Sequence, residues 1–242
     1  MPKSAKIDFP SKYRDLKKTH FEILKAAESI LGTYGVNGLE LKKIANLLDV
    51  SPSLIHHYYR NSEELIFDTV LFSYNQIVTK VVSEFGNSKD PELAARIWIS
   101  TMMKWEIQFP GIGIILEFPR QVLRTGGKSA VNADALLKKF VKEMAEIGAN
   151  NVAFMASAVR ALQKKKDFKQ LSIAKVASLI ATDAQFAMYT SVLGFATIGG
   201  GLWIAGRRPD DKKNPFWKAL GFNPEKQTQT TIDRFLKLIK ES

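Results

Sequence analysis

LKKIANLLDVSPSLIHHYYRNSEEL, residues 41–65, is the stretch that decides the fold. Leu41, Ile44, Ala45 and Leu48 fall at helical spacing and predict a two-turn helix with one buried face. Asp49-Val50 turns the chain. Ser51 is a good N-cap, because its hydroxyl accepts from a free helix N–H. Pro52 suits the first helical position, where no hydrogen bond is lost. A second short helix then runs from Ser53 to Tyr59. Asn61, with Glu64 three residues on, resembles a capping box. It starts a third helix that could run to about Glu84, before Gly86-Asn87. Two short helices about a tight turn, followed by a third, make a helix-turn-helix. In that motif the first helix crosses the DNA backbone and the second lies in the major groove. Ile44, Ala45, Val50 and Ile55 should hold the pair together. Ser53, Leu54, His57 and Tyr58 are then expected to face outward as groove contacts. Lys42, Ser51, His56, Arg60 and Asn61 are the expected phosphate contacts, which set affinity and salt dependence rather than sequence choice.

Upstream, apolar residues from Leu16 to Tyr34 recur with helical spacing, and Gly35 follows where a left-handed cap favours glycine. Asn37-Gly38 marks a turn. Residues 1–16 read as a basic arm with no apolar signal segment. Such an arm either reaches phosphates or a minor groove or is simply unstructured.

Downstream the pattern stays helical. Segments Pro91–Phe109, Ile112–Leu123 (interrupted by Pro119), Ala130–Ile147, Asn150–Lys166, 173–198 and 228–240 are expected helices, with a turn-rich linker over 206–226. No strand alternation of any length and no internal repeat is present. The fold class is therefore all-α: a basic arm (1–16), a three-helix DNA-binding head (17–77) and a helical body (78–242).

The chain has no cysteine, which excludes disulfides, thiolate metal sites and cysteine nucleophiles. A cytoplasmic location fits. The net charge of +11 favours polyanionic partners. Residues 1–62, however, hold ten Lys/Arg against six Asp/Glu, only +4. The DNA reading therefore rests on the motif. His56 and His57 are adjacent, point about 100° apart on a helix and cannot chelate one metal together. No metal and no other cofactor is expected. There is also no phosphate-binding glycine loop, histidine-rich metal signature or nucleophile elbow, so the chain does not read as an enzyme.

The ordered set of motifs resembles the TetR family of bacterial repressors. The family's opening pattern I-L-x-A-A-x-x-L/F-x-x-x-G is met by Ile23, Leu24, Ala26, Ala27, Ile30, Leu31 and Gly35. Its I-A-x-x-x-G-V-S is met by Ile44, Ala45, Val50 and Ser51. Its L-Y-x-y-F-x-x-K-e-e-L is met by Ile55, Tyr58, Tyr59, Glu63, Glu64 and Leu65. The chain departs from the family in four places. Leu39-Glu40 replaces the usual Thr/Ser cap, and Asp49 replaces the turn glycine. His56 stands for an aromatic residue that often touches DNA. Ser62 stands for a phosphate-binding lysine, with Arg60 or Asn61 as substitutes.

The resemblance implies a homodimeric repressor that reads a palindromic operator on double-stranded DNA and is released when a small molecule binds the body. It also implies dimerisation through the last two long helices, here 173–198 and 228–240. Candidate lining for a ligand pocket is Trp98, Met102, Trp105, Phe109, Phe118, Phe154, Met155, Phe186 and Tyr189, with Glu106, Glu117, Arg160 and Asp183 as polar anchors. Plain core packing explains the same residues. Two other readings stay open. The uncharged stretch 184–206 is long enough to anchor in a membrane, though its Gly199-Gly200-Gly201 run suggests a helix stop. The chain could also be a structural DNA-binding protein without a ligand.

Overall fold

The computed structural model describes residues 11–86, 91–117, 119–120, 122 and 133–163, together with 226, 229–230, 232–233 and 236–237. Every regular element among them is helical, as the sequence predicts. The helices are α1 (Lys18–Tyr34), α2 (Leu41–Leu48), α3 (Pro52–Tyr58), α4 (Ser62–Gly86), α5 (Pro91–Gln108), α6 (Pro110–Glu117) and α7 (Ala133–Gln163). Short 3-10 turns cover Ser11–Tyr13 and Val36–Gly38.

Helix α4 is the central element. It packs against α1, α5, α6 and α7. Its sequence explains why: Leu65, Ile66, Phe67, Val70, Leu71, Phe72, Val78 and Val81 are all buried. A helix apolar on most of its circumference belongs inside. α1 contributes Ile23, Leu24, Ala27 and Leu31, and α2 and α3 contribute Ile44, Ala45 and Ile55. Trp98, Met102 and Trp105 of α5, Ile112 and Ile115 of α6, and Phe140 and Ile147 of α7 complete one continuous apolar cluster. Head and body thus share a buried joint.

Several boundaries differ from the sequence reading, each for a physical reason. α1 begins at Lys18 rather than Leu16, and Leu16 packs on the core from the preceding turn. Gly35 does need a positive φ (64°), but its ψ of −164° is not the left-handed cap expected. Its N–H donates to the Leu31 carbonyl at 3.0 Å, and the chain passes directly into the Val36–Gly38 turn. The break between α5 and α6 is a single residue, Phe109. Its carbonyl accepts from the N–H groups of Ile112 (2.9 Å) and Gly113 (3.2 Å). Pro110 is thereby the first residue of α6 rather than part of a breaking loop.

The largest correction concerns Ala130–Ile147 and Asn150–Lys166. These are not a helix pair. They form the single 31-residue helix α7, which runs through Gly148 and Asn150-Asn151. Glycine costs about 1 kcal/mol in a helix interior, less than packing on α4 and α5 returns. Gly148 itself faces Tyr74, whose hydroxyl would lie 3.6 Å from an added Cβ.

In the C-terminal segment Ile232 and Leu236 are buried and helical, as their spacing predicts. Asp233 lies 3.6 Å from Arg96 of α5, tying that segment to the body. Residues 164–225 lie outside the described residues. They include all of the expected dimer helix 173–198, the uncharged stretch 184–206 and the linker up to residue 225. No described helix is long and apolar enough to cross a membrane.

Candidate nucleic-acid interface

The turn between α2 and α3 is built on Asp49. Its φ of 54° and ψ of 47° place it in the left-handed region, and it is the one non-glycine residue with positive φ among the described residues. Asp tolerates that region better than most residues. Val50 N–H then donates to the Ala45 carbonyl at 3.0 Å, closing the turn. At the start of α2, Glu40 makes no side-chain cap bond, in keeping with the missing Thr/Ser. At the start of α3, Ser51 Oγ accepts from Leu54 N–H at 3.3 Å and lies 2.9 Å from Ser53 Oγ. At the start of α4, Asn61 Oδ1 accepts from Glu64 N–H and Glu64 Oε2 accepts from Arg60 N–H, both at 2.9 Å. Asn61 thus uses its carbonyl as a cap and keeps its amide N–H groups for other partners.

Ile55 is the one buried residue of α3 and pins it to the core. Ser51, Ser53, His56, His57 and Arg60 are exposed, as is Lys42 on α2. Leu54, Tyr58 and Asn61 are half-buried. Tyr58 does not simply face outward. Its ring packs 5.0 Å from His20 of α1 and 5.3 Å, edge-on, from His57.

Beneath this surface is a polar cluster that the motif reading missed. Asp68 of α4 is buried. Its Oδ1 accepts from the Tyr13 hydroxyl at 2.7 Å and is ion-paired with Lys12. Its Oδ2 accepts from the Tyr59 hydroxyl at 2.7 Å. His20 Nε2 lies 2.7 Å from the Tyr59 oxygen and 3.6 Å from Asp68 Oδ2. Since the single Tyr59 proton goes to Asp68, His20 Nε2 must carry the proton of its own bond to Tyr59. Burial alone would push the Asp68 carboxyl up. The donors from His20, Lys12 and Tyr13 outweigh it and hold the group well below the usual carboxylate range. The Tyr13 and Tyr59 hydroxyls are pushed far above the usual tyrosine range, first by burial and then by the Asp68 charge. The cluster is one carboxylate held by His20, the Lys12 ammonium and two neutral phenol donors.

A signal for it existed. Where the family pattern carries phenylalanine the chain has Tyr59, and a buried hydroxyl demands a partner. The arm is revised too. Lys12 and Tyr13 lie against the protein, and Lys12 also reaches Glu143 of α7 at 3.4 Å. Residues 1–10 are outside the described set.

The ligand-pocket residues separate. Trp98 and Met102 are packed in the core, and the Trp105 indole N–H donates to Ser73 Oγ at 3.0 Å. Phe109 is half-buried at the α5–α6 break. Trp105 and Phe109 border a cleft of about 660 Å³ between α1 and α4, whose polar walls include Arg14, Lys25, Glu28, Asn75 and Lys80. Asn75 Oδ1 is buried there without a hydrogen-bond partner among the described residues. Glu106, Glu117, Phe154, Met155 and Arg160 belong to described helices, but their side chains lie outside the described set, as do Phe118, Asp183, Phe186 and Tyr189.

Residues 23–69 match the family model of the bacterial regulatory proteins of the tetR family. The head of the chain is thus similar to the DNA-binding domain of tetR-family regulators. That model covers the helix-turn-helix together with Tyr59 and Asp68, and it describes regulatory proteins. Solved structures agree on the fold. The TetR-family regulator from Mesorhizobium loti superposes with a TM-score of 0.57 at 13% identity, covering 93% of this chain and 98% of that one. PfmR of the TetR family from Thermus thermophilus gives 0.55 at 14% identity, covering 89% and 97%. The transcriptional regulator FadR from Bacillus subtilis, solved with stearoyl-CoA, gives 0.58 at 12% identity, covering 89% and 97%. Among curated proteins none matches the chain. The match over α2 and α3 supports a DNA-binding head, without assigning individual contacts.

Proposed function

We propose that the chain is a ligand-responsive repressor that binds a palindromic operator as a homodimer and is released by a small molecule held in its helical body. The head would extend over residues 17–77 and the body over 78–242. The observation that carries this reading is the surface of α3. One residue, Ile55, is buried, while Ser53, His56 and His57 are exposed on the helix that the turn at Asp49 presents. Ser53, Leu54, His57 and Tyr58 are the groove contacts. Lys42, Ser51, His56, Arg60 and Asn61 are the phosphate contacts. Tyr58 contributes through its exposed edge, since His20 supports the rest of its ring. A repressor of this kind works in the cytoplasm, where the chromosome is.

The continuous core from head to body supports the regulatory half, because a body change has no loose linker in which to dissipate. Dimerisation through 173–198 and 228–240 supplies the second head. The effector class to test first is long-chain acyl thioesters, in view of the FadR–stearoyl-CoA complex, whose fold this chain shares.

The test is fluorescence anisotropy with duplex DNA from upstream of the chain's own gene, against a scrambled duplex, across a salt series. A preference of about 10³-fold or more with a steep salt slope supports a specific regulator. Equal weak binding to both duplexes would instead describe a DNA-binding protein without an operator at that locus. Stearoyl-CoA added to the specific complex then asks for release.

A further inference from the structure

Segments far apart in the sequence meet at Asp68, directly or through Lys12. Lys12 and Tyr13 come from the N-terminal turn, Tyr59 closes the last turn of α3, and Glu143 projects from α7 of the body. Lys12 lies between two carboxylates, paired with Asp68 and 3.4 Å from Glu143. On the other side of the same carboxylate, Tyr59 is the C-cap of α3, and its N–H donates to the Ile55 carbonyl at 3.0 Å. Where the Tyr59 ring goes, the end of the helix carrying His56 and His57 goes with it.

We propose that Asp68 is a positioning residue for DNA recognition: held from the body side through Lys12 and Glu143, it fixes the C-terminal end of α3 through Tyr59. The proposal rests on the regulator reading above and names how a change in the body reaches the reading helix.

The electrostatics favour a connected unit over independent contacts. A buried carboxylate is costly unless its lone pairs are filled. Asp68 fills both oxygens, one from the N-terminal turn and one from α3. If α7 shifts and takes Glu143 from Lys12, the ammonium sees one fewer negative neighbour and its pairing with Asp68 tightens. If Lys12 follows Glu143 instead, Asp68 loses a cation and leans on Tyr59, Tyr13 and His20 alone. In both cases the bond that holds α3 changes, although neither Lys12 nor Glu143 touches α3. Glu143 also has Lys139 at 3.8 Å on its own helix, so it remains partnered when Lys12 leaves. Tyr58, packed on His20, extends the same hold to the residue before Tyr59.

The experiment is hydrogen–deuterium exchange on the full-length chain, comparing wild type with Lys12→Met and Glu143→Gln. Lys12 and Glu143 keep 40% and 24% side-chain exposure, so neither variant empties a core site. The expected result is exchange at least threefold faster in the peptide spanning residues 52–60, with peptides of α5 and α6 unchanged. Unaltered exchange at 52–60, or equal acceleration everywhere, overturns the proposal, because a purely structural role loosens the molecule without selecting α3. A second arm is a double-mutant cycle on duplex affinity with Glu143→Gln and Tyr59→Phe. A combined loss that departs from the product of the single losses by threefold or more supports coupling across Asp68, and a simple product opposes it. If the wild type does not prefer the upstream duplex, the regulator reading fails, and the exchange experiment still decides whether Asp68 couples the two ends.

Discussion

The Tyr59 hydroxyl meets the Asp68 carboxylate at 2.7 Å inside the head, and this bond joins the last turn of α3 to the first turns of α4. Both residues are buried, Tyr59 at 4% and Asp68 at 8% exposure. Tyr59→Phe keeps the ring and removes one donor from a buried charge. It should cost about 1–3 kcal/mol of folding stability, read from urea denaturation. A cost near zero would mean that water replaces the phenol without loss.

The pH dependence follows from the same cluster. The Asp68 carboxyl is held below its ordinary value, so its contribution is complete above the ordinary carboxylate pKa of about 4. It is lost as pH falls through the depressed native value. The stability gap between wild type and Asp68→Asn should therefore stay flat from neutral pH to about 4 and narrow below it. The tyrosines act at the other end. Tyr13 and Tyr59 are raised in the fold, so their contribution is complete below the ordinary phenol pKa of about 10 and is lost as pH rises above it. Absorbance titration of the native chain should leave Tyr13 and Tyr59 unionised past that point. Ionisation of these two before unfolding would contradict the geometry.

Two glycines should respond in opposite ways to the same change. A Cβ on Gly148 of α7 would lie 3.6 Å from the Tyr74 hydroxyl, an ordinary contact. Gly148→Ala should stabilise by about 0.5–1 kcal/mol through helix propensity. A Cβ on Gly32 of α1 would come within 2.6 Å of Phe109 Cδ1. Gly32→Ala should destabilise by about 1–3 kcal/mol through overpacking at the head–body joint. Thermal unfolding of the pair would test both, and a stabilised Gly32→Ala would show that Phe109 yields freely.

Arg60 is exposed, and its backbone N–H is already taken by Glu64, so the guanidinium is what it has to offer DNA. Arg60→Ala should weaken binding to all duplexes alike and reduce the salt slope by about one unit. Anisotropy at four salt concentrations measures it. An unchanged slope removes Arg60 from the phosphate contacts.

The helix-turn-helix was legible because local chemistry agrees with the fold there. Ser51, Pro52, Asn61 and the apolar positions each act over three or four residues. The continuity of α7 was not legible, because Gly148 and Asn150-Asn151 argue locally for a break and only packing on α4 and α5 overrides them. The Asp68 cluster was hidden for another reason: Lys12, His20, Tyr59 and Glu143 are brought together by tertiary structure, and no spacing rule links them. Only Tyr59, a phenol at a phenylalanine position, gave notice. The body pocket was readable as a set of aromatics but not as a cavity, since spacing cannot separate a lined void from a filled core. Trp98 and Met102 proved to be filling.

Helix α4 has 25 residues, carries Asp68 in its second turn in the head, and packs along its length against α5, α6 and α7. At 1.5 Å per residue it is about 37 Å long, and no proline or described kink interrupts it. A rod of that length works as a lever. Pivoting it by about 5° at the body end would sweep the head by roughly 3 Å, close to the rise of one base pair, about 3.4 Å. If two such heads pair as proposed, the sweep counts twice, and a displacement of less than two ångströms per head would already change the spacing of the reading helices by about one base-pair rise.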